Sequence, residues 1–119
     1  MRITAFFDSC LDAPLRNSRW SWGAVSRDER KVYLRVWKEQ IASLDGARHV
    51  KVLRGDNTKQ GYRERERHLQ RIKEGAEVWC VLCRHKPPGA GSRIASFDRT
   101  PIRAQLIDRD GSAWLRLES

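Results

Sequence analysis

Residues 16–37 read RNSRWSWGAVSRDERKVYLRVW, and this stretch decides how the chain folds. Two sets of side chains alternate along its second half: Val32, Leu34 and Val36, and between them Tyr33, Arg35 and Trp37. A period of two predicts a β-strand over Lys31–Gln40, with one face in the core and an aromatic, cationic face toward solvent or a ligand. We expect a second strand over Trp20–Val25, ahead of the polar turn that separates the two.

Further strand patterns occur along the rest of the chain, at Arg2–Phe7, His49–Leu53, Glu77–Arg84, Ile94–Phe97, Ile102–Ile107 and Ala113–Leu117. The Asp-Gly pairs at 45–46 and 110–111 predict tight turns. Residues 85–92 hold prolines and glycines and predict a loop. Gly61–Glu74 has the apolar spacing of a helix that Gly75 would end. Short strands with one inserted helix predict an α+β fold, a small β-barrel of six to eight mostly antiparallel strands.

The chain has 119 residues, which is the size of one domain, and we take 1–119 as that domain. It carries 24 Lys+Arg against 15 Asp+Glu, a formal net charge of +9. The positive electrostatic field of such a charge concentrates polyanions near the protein surface. Guanidinium groups also bind phosphate in a bidentate manner. Nucleic acid is therefore the expected partner, with DNA favoured over RNA.

Membrane and secretory functions are not expected. No apolar run approaches the ~20 residues of a membrane span. Asp8 and Asp12 interrupt the N-terminal apolar stretch, so it lacks the continuous apolar region of a secretory signal. Three cysteines cannot form a closed disulfide framework. A reduced, cytoplasmic setting is the expectation.

No arrangement of residues predicts a metal, a cofactor or a catalytic centre. Cys80 and Cys83 have C-x-x-C spacing, but they lie in an apolar strand that would turn them to opposite faces. They read better as two small buried apolar residues. The three histidines lie in separate elements with no nucleophile-and-base pattern. We therefore expect no cofactor and a non-catalytic protein. The alternatives are a small basic RNA-acting enzyme or toxin of ribonuclease type, and a basic protein-interaction module.

The predicted helix has two interpretations. Its Leu69 stripe, supported by the stem of Arg65, would face the core while Glu64 and Arg67 face solvent. The alternating charges then form a solvated face with i,i+4 pairs. The same face, with Arg63, Lys59 and the helix N-terminus, also has the chemistry of a phosphate-binding ridge.

Two tryptophans, an amide and two guanidiniums share residues 16–23. Flat π-faces beside fixed cations are suited to a planar ligand that carries an anion, such as a nucleobase with its phosphate. Tryptophans also fill cores, and that alternative stays open for each indole.

Residues 15–20, LRNSRW, followed by the strand from Val32 to Trp37, resemble the Arg-Asn stretch of EVE domains in the PUA-like superfamily, which also includes ASCH and YTH domains. Ile3–Asp8 is similar to the first strand of those domains and its exit. The resemblance implies a small β-barrel that reads a flipped or unpaired, modified cytosine or adenine and works with an effector protein such as a nuclease. The candidate base-pocket residues are Asn17, Trp20, Trp22, Tyr33, Trp37 and Asp8. The candidate phosphate contacts are Arg16, Arg19, Arg35, Lys59 and Arg63.

Overall fold

Eight β-strands and two α-helices form the part of the chain that the computed structural model describes, which is residues 2–17, 20–53, 57–85 and 94–118. The strands are β1 Gly23–Val25, β2 Lys31–Trp37, β3 Ala42–Leu44, β4 Ala47–Lys51, β5 Glu77–His85, β6 Ile94–Phe97, β7 Ile102–Arg109 and β8 Ser112–Leu117. The helices are α1 Ile3–Ala5, which continues as a π-helical turn over Phe6–Cys10, and α2 Gln60–Lys73; a 3-10 turn covers Lys38–Gln40.

All eight strands belong to one sheet, in the order β1-β2-β5-β7-β8-β4-β3, with β6 paired to β5 beyond the end of β7. The β2–β5 pair is parallel, from Lys31 opposite Glu77 to Trp37 opposite Cys83, and the other pairs are antiparallel. The α+β class with a mostly antiparallel sheet is therefore confirmed. Among the described strands the sheet is open, with β1 and β3 at its ends, so the barrel closure expected from the sequence is not observed.

The first face of the sheet carries the main core. It contains the even-numbered apolar residues of β2 and β5 together with residues from the strands beyond them: Val32, Leu34, Val36, Val50, Val52, Val78, Cys80, Leu82, Ala104, Leu115 and Leu117. Helix α2 packs on this face through Leu69, which is 5% exposed, and through Ile72. The predicted inward set of β2 is confirmed, and Gly75, at φ +118°, follows the end of the helix as predicted.

The second face is covered where the sequence predicted an open surface. Tyr33 is 7% exposed and packs with Val81, Cys83 and the N-terminal segment in a second core. This corrects its assignment to a solvent-facing or ligand-facing side. The physical reason is that a parallel pair such as β2–β5 is normally buried on both faces.

The predicted first strand, Arg2–Phe7, is wrong, because this segment is helical. Phe6 N–H donates to the Arg2 carbonyl at 3.0 Å, and Leu11 N–H donates to the Phe6 carbonyl at 3.2 Å. A strand would direct two consecutive side chains to opposite faces. The helical turn instead buries both Phe6 and Phe7, at 3% and 0% exposure, against the second core.

The ends of the other strands differ by a few residues from those predicted from the sequence. The Trp20–Val25 pattern forms a strand only from Gly23, and the Lys31–Gln40 pattern ends as a strand at Trp37. Both Asp-Gly turns are confirmed: Asp45 and Gly46 have φ of 52° and 77°, and the corresponding pair at 110–111 has φ of 53° and 76°. Most of the predicted 85–92 loop lies outside the described residues. No helix in the described ranges combines the length and apolar character of a membrane span.

A buried guanidinium joins helix α2 to three other segments. Arg65 is 4% exposed, and its Nη1 donates to the Val52 carbonyl at 2.7 Å. Its Nη2 donates to the carbonyls of Trp22 and Arg35, each at 2.9 Å. Burial lowers the pKa of Arg65 to about 10, so the group stays charged at neutral pH. The sequence predicted only that the aliphatic stem of this side chain would pack beside the apolar stripe of the helix that contains Leu69.

Arg65→Met is expected to destabilise the fold by about 3 kcal/mol, because it removes the donors of three backbone carbonyls while preserving most of the volume. Urea unfolding followed by tryptophan fluorescence measures this loss. The matched control is Arg67→Met on the exposed side of the same helix, expected to change stability by about 0.5 kcal/mol or less. Equal effects of the two variants would contradict the structural role of Arg65.

Candidate functional site

The segment before β1 is held by hydrogen bonds rather than by strand pairing. Asn17 N–H donates to Ser21 Oγ at 2.9 Å, and Ser21 N–H donates to the Asn17 carbonyl at 3.0 Å. Ser21 is fully buried, and its own carbonyl accepts from Arg35 Nη1 at 2.9 Å. These bonds hold Asn17 and Ser21 together beside the edge of the sheet, and the name 17–21 turn is used here for the described residues Asn17, Trp20 and Ser21.

The indole of Trp22 and the backbone of Trp20 lie against the first turn of α2. A Cβ built on Gly61 would lie 2.5 Å from Cε2 and Nε1 of Trp22 and 2.7 Å from the Trp20 carbonyl oxygen. Only a glycine permits so close an approach of helix and indole. The guanidinium carbon of Arg65 lies 5.6 Å from the centroid of the Trp22 ring, within cation–π range. Both indoles are half-buried.

Glu64 lies beneath the 17–21 turn. It is 3% exposed, and its Oε2 accepts from Ser21 Oγ at 3.3 Å. Its Oε1 is buried and has no hydrogen-bond partner among the described residues. Burial raises the pKa of Glu64 above its ordinary value, while the Ser21 hydroxyl and the positive charges of Arg16 and Arg67 oppose that rise.

The surface around this carboxylate is basic. Arg16, Lys59, Arg63 and Arg67 are exposed. Helix α2 has no acidic residue in its described first turn, and Lys59 at the N-cap provides no side-chain cap. The positive end of the helix dipole therefore adds to the four side-chain charges instead of being neutralised by a first-turn carboxylate.

The structure brings six of the predicted site residues to this region: Asn17, Trp20, Trp22, Arg16, Lys59 and Arg63. Arg35 also lies beside it, but its guanidinium and its backbone carbonyl are engaged with Ser21 and Arg65, so it supports the turn. Arg19 lies outside the described residues.

Three predicted pocket residues have other surroundings. Tyr33 is part of the second core. Trp37 is stacked on His85, with ring centroids 3.2 Å apart and planes inclined by 21°. Asp8 forms an ion pair with Arg27, with a distance of 2.5 Å between Oδ1 and Nη2. None of these contacts joins them to the 17–21 turn.

Sequence reasoning missed the polar residues on the buried face of α2. Gly61, Glu64, Arg65, His68 and Leu69 are buried, whereas Glu64 was expected to face solvent. Their spacing of three and four residues is that of an inward helical stripe. The spacing of these residues therefore indicated an inward face of the helix. The alternating charges of the same segment favoured a solvent-exposed face instead, and this led to the wrong assignment of Glu64. Burial lowers the pKa of His68 to about 4, so this histidine is neutral at pH 7.

The cysteine pair has the predicted arrangement of two buried apolar residues. Cys80 belongs to the first core and Cys83 to the second, so the thiols lie on opposite faces of β5. Burial raises the pKa of Cys80 to about 12 and that of Cys83 to about 11, which keeps both as thiols. Among the described residues there is no group of three or more His, Cys, Asp or Glu side chains placed to hold a metal ion.

A cavity of about 290 Å³ lies at the opposite end of α2. Ile72, Ala76 and Leu106 line it together with Lys73 and Arg103. None of the predicted pocket residues borders it.

Comparison of the chain with protein-family models, with curated proteins and with solved structures gives no match.

Gly61→Ala is expected to destabilise the fold by about 2 kcal/mol, because the new methyl group meets the Trp22 ring and the Trp20 carbonyl. In an unobstructed helix the same change would stabilise by up to about 1 kcal/mol. The sign of the change in urea unfolding therefore tests the contact. Gln60→Ala, at the exposed neighbouring position, is the control and should have little effect.

Glu64→Gln is expected to stabilise the protein at pH 7 by about 1 kcal/mol, or roughly 4 °C in Tm. The folded-state pKa of Glu64 lies above its unfolded value, so the folded protein loses stability as pH rises through that pKa. The gain should vanish at about pH 3.5, where glutamate is protonated in both states. Thermal unfolding at both pH values measures it, with exposed Glu66→Gln as the control. A destabilised variant at pH 7 would show that the charge of Glu64 supports the fold.

Proposed function

We propose that this protein is a non-catalytic nucleic-acid-binding module that holds a flipped or unpaired base between the 17–21 turn and the start of α2. The expected base is a modified cytosine or adenine, in DNA rather than RNA. The protein would act with an effector such as a nuclease. The PUA-like, EVE-type assignment is part of this proposal. It now rests on residues 15–20 and on the strand that follows them, because Ile3–Asp8 is helical.

The observation that carries the proposal is the convergence of three kinds of group at one place. Trp20 offers a half-buried indole, Glu64 has a buried oxygen without a hydrogen-bond partner among the described residues, and exposed positive charges come from Arg16, Lys59 and Arg63. An aromatic wall with a few convergent polar groups is typical of a ligand site. Stacking contributes about 1–3 kcal/mol per base, which is comparable to the cost of extruding one.

The phosphates that flank such a base would meet the exposed cations. Arg16, Lys59 and Arg63 surround the start of α2, where the helix dipole also favours an anion. Arg35 is better assigned as a positioning residue, because its guanidinium holds the Ser21 carbonyl. The proposed pocket is thus smaller than the sequence suggested and excludes Tyr33.

Trp20→Ala is expected to weaken binding at least about tenfold without unfolding the protein, because Trp20 stacks on the base and is only half-buried. The ligand is a labelled DNA duplex with one 5-methylcytosine opposite an abasic site. Fluorescence anisotropy at about 150 mM salt measures binding, since weak nonspecific contacts fade there. Trp20→Phe keeps an aromatic face and should retain most of the affinity.

Trp114→Phe is the control for loss of an indole elsewhere, because Trp114 lies on β8 opposite Lys51. Equal affinity of the wild type and Trp20→Ala would overturn the stacking role. Absence of binding to any oligonucleotide would favour the protein-interaction alternative. Degradation of labelled RNA without added metal would favour the ribonuclease alternative.

A further inference from the structure

The second core covers only one part of the second face of the sheet. The N-terminal helical segment packs there against Tyr33 and Val81, on β2 and β5. Along β8 the side chains alternate between faces, so Leu115 points into the first core while Trp114 and Arg116 lie on the second face. Trp114 is half-buried and belongs to neither core. The chain therefore places an indole on a face of the sheet where it does not serve core packing.

Two rows of side chains cross β7, β8 and β4 on this second face, and we call this area the outer face. In one row Trp114 lies between Ile107 of β7 and Lys51 of β4. In the other row Arg116 lies opposite Gln105, about 7 Å along β8 from Trp114. The indole thus has one cation on the neighbouring strand and another farther along its own strand.

The outer face carries charge of one sign. None of the strand residues at its described positions is acidic, and its charged side chains are Arg103, Arg109, Arg116 and Lys51. The first two form ion pairs with acidic residues of other segments. Arg116 and Lys51 form no ion pair with any described residue. A face that serves only solubility usually mixes charges of both signs, so this one is complementary to an anionic partner.

Rigid parts of the fold hold the Trp114 row in place. Lys51 precedes Val52, whose carbonyl accepts from Arg65 Nη1 at 2.7 Å. The N–H of Val52 donates to the carbonyl of Ala113, next to Trp114, at 3.1 Å. The row is therefore formed by paired strands that are tied to α2, and a ligand can bind it without a movement of the chain.

We propose that the outer face binds single-stranded nucleic acid, with a base stacked on Trp114 and backbone phosphates on Arg116 and Lys51. Cations beside an aromatic side chain are the arrangement of single-strand binding sites, in which stacking tolerates any base. A duplex hides the faces of its bases and would leave the indole without a role. The inference goes beyond the proposed base pocket, because it uses none of that pocket's residues.

The first test measures binding of a labelled, unmodified strand of about fifteen thymidines, long enough for a single-strand site. Fluorescence anisotropy at about 150 mM salt is the readout. Trp114→Ala is expected to weaken binding at least about fivefold, because the stacked ring is lost. Trp114→Phe keeps an aromatic ring and should bind nearly as tightly as the wild type. Equal affinity of the wild type and Trp114→Ala would overturn the stacking role.

A second variant keeps the indole and removes the charge, and it serves if Trp114→Ala does not fold. In the double variant Lys51→Gln/Arg116→Gln, the slope of log K against log salt should become shallower by about 1.4, since each phosphate contact to a single strand contributes about 0.7. The control Lys38→Gln/Arg99→Gln removes the same charge at exposed positions off the outer face. It should keep the wild-type slope, and equal slopes in the two double variants would contradict a phosphate site on this face.

The 5-methylcytosine duplex separates this inference from the base pocket, because almost all of its bases are paired. Trp114→Ala should leave the affinity for that duplex within about twofold. Thymidine binding that is equal in the wild type, Trp114→Ala and Lys51→Gln/Arg116→Gln overturns the outer-face site and leaves the base pocket standing. Thymidine binding that depends on Trp114, in a protein that does not bind the duplex, overturns the base pocket and supports the outer-face site. Failure to bind either probe overturns both.

Discussion

The buried guanidinium of Arg65 is the interaction on which the rest of this fold depends. Its charge would be prohibitively costly in the core without partners, and its partners are three backbone carbonyls from segments distant in sequence. The Trp22 carbonyl belongs to the approach to β1, that of Arg35 to β2 and that of Val52 to the exit of β4. One side chain thus sets how helix, sheet edge and turn meet. Hydrogen bonds from a charged donor are also stronger than those between neutral groups.

The candidate site follows from that constraint. Because Arg65 fixes α2 against Trp22, the helix approaches the indole closely enough that any side chain at position 61 would meet the Trp22 ring. The same orientation turns Glu64 inward, under Ser21, instead of toward solvent. Two adjacent buried charges of opposite sign therefore have different roles. Arg65 gives both terminal nitrogens of its guanidinium to backbone carbonyls, whereas Glu64 accepts a single hydrogen bond from Ser21.

Local patterns in the sequence predicted what local physics controls. The alternation of β2, the Asp-Gly turns and the span of α2 depend on period and turn chemistry, and these were placed within a few residues. Phe6 and Phe7 failed as a strand because burial of two consecutive rings against the sheet overrides β-propensity. The inward position of Glu64 fits the local spacing of the buried residues of α2, but its contact with Ser21, distant in sequence, is not encoded by any local pattern.

The parallel β2–β5 pair gives the chain a demanding order of assembly. Strand β2 has only the three-residue β1 beside it until β5 has been synthesised, because β3, β4 and α2 lie between them in sequence. Long-range pairing of this type is slow to form. During that interval one edge of β2 offers unpaired backbone groups flanked by Val32, Leu34 and Val36, which is the arrangement that recruits strands from other chains. A nascent chain that stops before Cys83 is therefore the form of this protein most exposed to aggregation.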